Sequence, residues 1–145
     1  MPVTYRIFPA LRVGVLRFRE TVSVEECAAA LSACVQDKHY VSETDLLADL
    51  NQCTFNESSF RDILRLARLL ERFYGRRSPA AHSVLWSAND VNFGIARMYQ
   101  STVDGRNPAQ VGVFRTRSEG LDFIERDADT CRQIEAKLIE VEQEG

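Results

Sequence analysis

Short strand-like segments alternate with helical segments along almost the whole 145-residue chain. The strand patterns are polar–apolar alternations or short apolar runs, and they lie at 4–8, 11–18, 45–50, 83–86 and 111–114. Only Pro9-Ala10 and the flanking residues separate the first two segments, which favours an antiparallel pair. A helix separates each later pair of strands, and such crossovers require parallel strands. We therefore expect an α/β fold with a mostly parallel five-stranded sheet and an antiparallel strand at one edge.

Capping residues and apolar periodicity define the helices between these strands. Capping boxes, in which an acidic residue follows a hydroxyl residue by three positions, are predicted at Ser23/Glu26, Ser59/Asp62 and Thr116/Glu119. The helix over 60–74 has apolar residues at spacings of three and four and stops before Gly75. A third helix follows the cap chemistry of 88–90. The expected order of elements is β-β-α-β-α-β-α-β-α.

An apolar stripe continues beyond the last helix that this order requires. It runs from Leu121 to Val141 and predicts either one helix over 118–142 or two helices broken near 127–129. We divide the chain into an α/β domain at 1–127 and a helical tail at 128–145. An apolar stripe left in water is unfavourable, so the tail packs on its own chain or on a second copy. We expect a homodimer joined by this tail, with folding back as the alternative.

Composition and missing motifs exclude several functions. The formal net charge is −3 and the pI is near 5.4, which does not suit a general nucleic-acid binder. No apolar run approaches the roughly 20 residues of a membrane span, and no secretory signal precedes the first strand. We therefore expect a cytoplasmic protein with four reduced cysteines. Phosphate loops, dinucleotide turns, serine elbows and zinc-ligand spacings are missing, so no cofactor, metal or catalytic residue is predicted.

Residues 49–60, Asp-Leu-Asn-Gln-Cys-Thr-Phe-Asn-Glu-Ser-Ser-Phe, resemble the signature of STAS domains, the sulfate-transporter and anti-sigma-factor-antagonist family. In that family a strand ending in Asp leads through a loop to an Asp-Ser-Ser/Thr-Gly turn that begins a helix. The motifs at 93–99 and 111–115 are similar to a bacterial subgroup of small stand-alone STAS proteins that also resemble lipid-transfer proteins. The resemblance covers about residues 4–126 and implies the STAS order of strands and helices.

The resemblance implies a non-catalytic regulatory or protein-interaction module. In regulatory members a partner kinase phosphorylates the first serine of the turn, and the matching residue here is Ser58. A phosphate at this position would lie at the positive end of a helix dipole. The turn has Glu57 and Phe60 where the family has Asp and Gly. The alternative is that Ser58 and Ser59 only cap the helix.

A stripe of arginines runs along the second helix, on the side opposite its apolar residues. Its members recur at spacings of three and four: Arg61, Arg65, Arg68, Arg72 and Arg76. Arginine pairs with carboxylates and phosphates through two parallel hydrogen bonds, so the stripe predicts a docking surface for an acidic protein. The alternative is a solvated helix face with ordinary salt bridges.

A possible ligand pocket is indicated near the strand ends and the third helix. Its candidate residues are two at strand ends and three on the helix: Asp49, Trp86, Gly94, Arg97 and Tyr99. Gly94 costs up to roughly 1 kcal/mol relative to alanine in a helix, which suggests close approach by a ligand or a neighbouring element. The alternative function is therefore a domain that binds a small ligand, either a lipid or an anionic metabolite. An enzyme that uses Asp49 and Arg97 is a third possibility.

Overall fold

The computed structural model describes residues 1–144, and their elements alternate as the sequence predicts. The strands are β1 (Val3–Phe8), β2 (Val13–Phe18), β3 (Glu20–Val22), β4 (Asp45–Asp49), β5 (Cys53–Phe55), β6 (His82–Trp86) and β7 (Gln110–Phe114). The α-helices are α1 (Val24–Gln36), α2 (Phe60–Tyr74), α3 (Asp90–Val103), α4 (Arg117–Phe123) and α5 (Ala128–Glu142). A 3-10 turn at Pro9–Leu11 joins β1 to β2.

The main sheet has five strands in the order β1-β2-β4-β6-β7. β1 is antiparallel to β2 and lies at an edge, and the remaining neighbours are parallel, which confirms the predicted α/β class. Leu47 in the central strand lies opposite Val15 on one side and Val84 on the other. Residues 51–57, predicted as a loop, contain β5, which pairs with β3 in a second, two-stranded sheet. Strands of three residues are too short for alternation to reveal.

Helices cover both faces of the main sheet. The three crossovers from β2 to β7 all step in the same direction, so right-handed connections bring α1, α2 and α3 to one face. The buried cluster on that face includes Leu16, Leu46 and Ala67. α4 and α5 cover the other face, where a second cluster surrounds Leu47 and Trp86.

All three predicted capping boxes are present. The Ser59 hydroxyl, for example, accepts the Asp62 backbone N–H at 3.1 Å, and the Asp62 carboxylate accepts the Ser59 backbone N–H at 3.1 Å. The C-terminal apolar stripe forms two helices, because Glu125 adopts a left-handed conformation (φ 55°) after α4. Asp127 then caps α5 by accepting the Thr130 N–H at 2.8 Å.

α5 packs on its own chain. Ile134, Leu138 and Val141 are buried in the same cluster as Phe8 and Leu47 of the sheet. α5, predicted to lie in a separate helical tail at 128–145, therefore shares its core with the strands. Of the two arrangements considered for the tail, its packing is the one in which it folds back on its own chain. Its stripe no longer argues for a dimer, so the homodimer stays a prediction. None of the helices within residues 1–144 combines the length and apolarity that crossing a membrane requires.

We predict that Ile134→Ala lowers the free energy of unfolding by about 2–5 kcal/mol, because it leaves a cavity at a fully buried position. Ile139→Ala, on the exposed side of the same helix, is the matched control and should cost much less. Urea unfolding at two protein concentrations measures both effects. If the loss of unfolding free energy caused by Ile134→Ala disappears or grows with protein concentration, this side chain packs between chains instead.

Candidate functional site

The four arginines of α2, together with Arg76 just beyond its end, point away from the sheet, and we call these five residues the α2 arginine face. The helix buries its opposite side, including Ile63, Ala67 and Leu70. Among residues 1–144, four members of the face make no ion pair: Arg61, Arg68, Arg72 and Arg76. The guanidinium groups of Arg72 and Arg76 lie 4.7 and 6.0 Å from the centre of the Phe73 ring. The face therefore presents positive charge that nothing in the described chain neutralises directly.

Arg65 is the exception on this face. It binds the carboxylates of Glu25 at the start of α1 and Glu57 before α2, the latter at 2.9 Å. The hydrogen bond from Arg65 lowers the pKa of Glu25 and raises the pKa of Arg65 itself. Glu57 also accepts the backbone N–H of Val24 at 3.0 Å. Glu57 thus joins the turn before α2 to the first turn of α1.

Ser58 and Ser59 have different environments in the turn before α2. Ser59 is the N-cap, and its hydroxyl also donates to Asp62 at 2.8 Å, which lowers the pKa of that carboxyl. The Ser58 side chain makes no hydrogen bond within the described residues 1–144. Phe60 occupies the first helical position with a side chain 64% exposed. No residue of this turn is left-handed, so the turn does not require the glycine that the family has there.

Large apolar side chains are exposed beside the α2 arginine face. Phe60 and Leu69 belong to α2, and Val91, 72% exposed, begins the neighbouring helix α3. Both helices start at the carboxyl end of the parallel strands, so Phe60 and Val91 lie at the same end of the molecule as Ser58. Aromatic, aliphatic and arginine side chains together are the composition of protein-binding surfaces.

An apolar cavity of about 80 Å³ lies between the sheet and helices α1, α2 and α3. It is lined mainly by aliphatic and aromatic side chains, including Leu16, Phe18, Leu50, Phe55, Ile63, Ile95 and Ala96. Its polar lining comes from Ser23 and Glu57 near the helix N-termini and from Ser83 and Tyr99 elsewhere in the wall. The cavity has about half the volume of a ~150 Å³ apolar cavity known to bind benzene. It accommodates a short aliphatic group but not a whole lipid.

Buried hydroxyl and thiol groups border the same cavity. The Tyr99 hydroxyl lies 3.1 Å from that of Tyr74, and burial raises the pKa of Tyr99 to about 12 and that of Tyr74 further. Burial likewise raises the pKa of Cys27 to about 12, so the thiol stays protonated and unreactive at neutral pH. These hydroxyl and thiol groups are therefore neutral donors and acceptors, and the carboxylate of the lining, Glu57, is bound to Arg65 and to the Val24 backbone.

The structure separates the five residues of the predicted pocket. Tyr99 lines the apolar cavity, whereas Asp49 and Trp86 line a different, smaller cavity on the opposite face of the sheet. Gly94 and Arg97 are exposed on α3 and line neither of these two cavities. Apart from the backbone of its own helix, no atom lies within 4 Å of the position that a Cβ at Gly94 would take. No neighbouring element therefore approaches Gly94 closely, and approach by a ligand stays a prediction.

Three arginines that the sequence analysis did not select line the smaller cavity with Asp49 and Trp86. They are Arg17, Arg19 and Arg117, which we call the strand-end arginines. Only the folding of β2 and α4 to the same end of the sheet brings them together, so no local motif marks them. Among residues 1–144, no group of three or more histidine, cysteine or acidic side chains is arranged to hold a metal ion.

Comparisons with known proteins do not assign these residues to a known family. No protein-family model matches the chain, and a search of the curated proteins gives no match either.

We predict that Gly94→Ala stabilises the protein by roughly 0.5–1 kcal/mol, because alanine favours the helix and its methyl group meets nothing. Gly120→Ala, in α4, is the control: its Cβ would lie 2.7 Å from a Val84 methyl group and should destabilise the fold. Thermal and urea unfolding of the two variants measure both effects. Destabilisation by Gly94→Ala would mean that α3 packs more closely against a neighbour than this structure has it.

Proposed function

We propose that the chain is a non-catalytic regulatory module of the STAS type that binds an acidic protein partner in the cytoplasm through the α2 arginine face. The observation that carries this proposal is the set of four arginines of this face, three on α2 and Arg76 beyond it, without ion pairs inside the described chain. A surface with this charge, on a protein of net charge −3, favours a partner that brings its own carboxylates.

Support for the STAS assignment comes from the sequence motif and from the arrangement around it. Residues 49–60 resemble the family signature, with Glu57 and Phe60 where the family has Asp and Gly, and they connect a central parallel strand to α2. Ser58, which the resemblance matches to the phosphorylated serine, immediately precedes the N-cap residue Ser59. The two-stranded sheet and α5 lie outside the motif and do not bear on the assignment.

Exposed apolar residues give the proposed surface a second source of affinity. Phe60 and Leu69 flank the arginines, and Phe60 lies two positions from Ser58. A partner that covers them gains apolar burial in addition to charge pairing, at roughly 25 cal/mol per Å² of apolar area. Pairing of exposed charges alone contributes little to the stability of a complex, and salt screens it.

Phosphorylation of Ser58 gives this surface a switch. Its hydroxyl is not used in the capping box, so modification leaves the Ser59–Asp62 cap intact. A phosphate adds about −1.5 to −2 charges next to the first turn of α2. The added charge would pair with the nearest arginines and repel acidic groups of the partner. Modification is therefore expected to reduce binding without unfolding the domain.

We predict that Arg68→Glu/Arg72→Glu and Ser58→Asp each reduce the recovery of specific partners by at least about tenfold in affinity purification from the native cells. The matched control is Arg132→Glu, on α5, whose side chain is 71% exposed and pairs only within its own helix. Circular dichroism and thermal unfolding verify that every variant is folded. The proposal fails if the control loses the same partners as the α2 variants, or if none of the variants loses any. Phosphopeptide mapping of the purified protein tests directly whether Ser58 is modified.

The apolar cavity favours a second function, the binding of a small apolar ligand. Its volume of about 80 Å³ selects a short aliphatic group, and its neutral hydroxyl groups supply hydrogen bonds without charge. An anionic metabolite does not suit this cavity, because its wall contains no basic side chain. Binding here needs no contact with the α2 arginine face, so the two functions are compatible.

We predict that linear alcohols of about four to six carbons raise the melting temperature of the full chain, as ligands that bind only the folded state do. Ala96→Leu should abolish this shift, because the larger side chain fills the cavity. Ala33→Leu, an exposed change of the same kind on α1, should keep it. An equal shift in all three proteins, or no shift in the unmodified protein, would rule out binding in the cavity.

A further inference from the structure

The strand-end arginines converge from separate parts of the chain on one small cavity. Arg17 lies on β2, Arg19 follows that strand, and Arg117 is the first residue of α4. The cavity has a volume of about 40 Å³ and lies between α4 and the last turn of α5, at the ends of β4 and β6. By the volume that one buried water needs, it holds about three waters or a single small oxyanion.

The guanidinium groups in this cluster have more hydrogen-bond donors than the surrounding residues can accept. Arg17 donates to the backbone carbonyl of Glu144, and Arg19 donates to that of Glu142 at 2.6 Å. The Nε atoms of Arg17 and Arg19 are both buried and have no hydrogen-bond partner within residues 1–144. Arg117 lies 3.7 Å from Glu135, which is beyond hydrogen-bond distance.

Each guanidinium has five N–H donors, arranged to bind two oxygens of one anion at the same time. The last carbonyl groups of α5 supply only one acceptor to each of Arg17 and Arg19. Leaving a buried charged donor without an acceptor costs more than leaving a neutral one. Within residues 1–144 the cluster therefore has more donors than acceptors, and an oxyanion would provide acceptors of the kind it lacks there.

The negative groups at the cavity limit what it can bind. Asp49 lines it, but one of its oxygens accepts both the backbone and the side-chain N–H of Asn51, at 2.8 and 2.7 Å. Glu142 is the other acidic residue of the lining. The lining has three guanidinium groups and two carboxylates, and Glu135 lies outside it, 3.7 Å from Arg117. The small excess of positive charge in the lining itself favours a small anion over a large polyanion. The carboxyl ends of parallel strands are also the usual ligand position in open α/β sheets.

We propose that the strand-end arginines bind the phosphate group of a small molecule, either free phosphate or a phosphate monoester. The phosphate oxygens accept from the terminal N–H groups of Arg17 and Arg19 that make no hydrogen bond within residues 1–144, and Arg117 completes the site from α4. The last turn of α5 forms one wall of the site. This site lies on the opposite face of the sheet from the α2 arginine face, so it does not depend on the proposed partner binding.

Trp86 makes the proposal directly testable, because it lines the cavity and is the only tryptophan of the chain. Its fluorescence is measured while the full chain is titrated with inorganic phosphate, and separately with glycerol 3-phosphate, at constant ionic strength maintained with chloride. We expect a saturable change with at least one of them, and a dissociation constant raised at least about tenfold by Arg117→Gln. Arg117 is chosen because it does not hold the carbonyl groups of α5.

Arg115→Gln is the matched control. It removes the same charge two residues away, from a side chain that pairs with Asp90 and lies over the Phe93 ring, outside the cavity. Binding should be unchanged in this variant. A response to inorganic phosphate alone assigns the site to the free ion, and a response to glycerol 3-phosphate assigns it to monoesters. The proposal is wrong if neither compound gives a saturable change, or if Arg115→Gln weakens binding as much as Arg117→Gln.

Discussion

The buried carboxylate of Asp45 connects the segments that hold α4 and α5 on their face of the sheet. One oxygen accepts the His82 backbone N–H at 2.7 Å and lies 2.9 Å from the Nδ1 of the same residue. The other accepts from Arg126 at 2.9 Å, and Arg126 also donates to the backbone carbonyls of Leu11 and Arg12. Three parts of the chain, β4, β6 and the connection between α4 and α5, are thereby fixed at the amino ends of the strands. Removing the carboxylate would leave a partly buried guanidinium without its counter-charge, which is far more costly than losing a surface ion pair.

This anchor explains why α5 runs along the sheet rather than away from it. The chain enters α5 next to Arg126, already held against the amino ends of β2 and β4. From there Ile134, Leu138 and Val141 cover the face of the sheet that α1, α2 and α3 leave open. The helix ends at the carboxyl ends of the strands, where an acidic last turn opposes the helix dipole. Arg6 on β1 offsets this unfavourable charge by binding the carboxylates of Glu140 and Glu144. Arg17 in β2 and Arg19 just after it donate to the backbone carbonyls of Glu144 and Glu142.

Much of the fold could be predicted because its signals are local. Capping boxes and the apolar side of α2 need only residues three or four positions apart, and the connections between strands restrict the sheet to a mostly parallel arrangement. The sequence could not reveal which acidic residue of β4 is buried. Asp45 and Asp49 flank the same strand, yet Asp45 is 3% exposed and Asp49 is half-buried beside Asn51. The difference arises from the residues that pack against each end.

The candidate sites also differ in whether the sequence alone could reveal them. The α2 arginine face was predictable because its residues recur at regular spacing along one helix and just past its end. Arg17, Arg19 and Arg117 have no such spacing, and they meet only because β2 and α4 reach the same end of the sheet. The predicted pocket at Asp49, Trp86, Gly94, Arg97 and Tyr99 combined residues from two faces of the sheet and from the solvent side of α3. Proximity to strand ends does not determine on which face a side chain lies, because neighbouring residues of a strand point to opposite faces.

Glu57 links the two functions proposed for the α1–α3 side of the molecule. It lies beside Ser58, binds Arg65 of the α2 arginine face and caps the backbone of Val24, and it also lines the apolar cavity. A partner or a phosphate group that attracts Arg65 competes with Glu57 for its guanidinium. Glu57 and Val24 are both part of the cavity wall, so weakening that ion pair loosens the wall between α1 and α2. The proposed partner binding at α2 and the proposed occupancy of the cavity would then be coupled through one carboxylate, and by linkage each would alter the affinity of the other by the same factor.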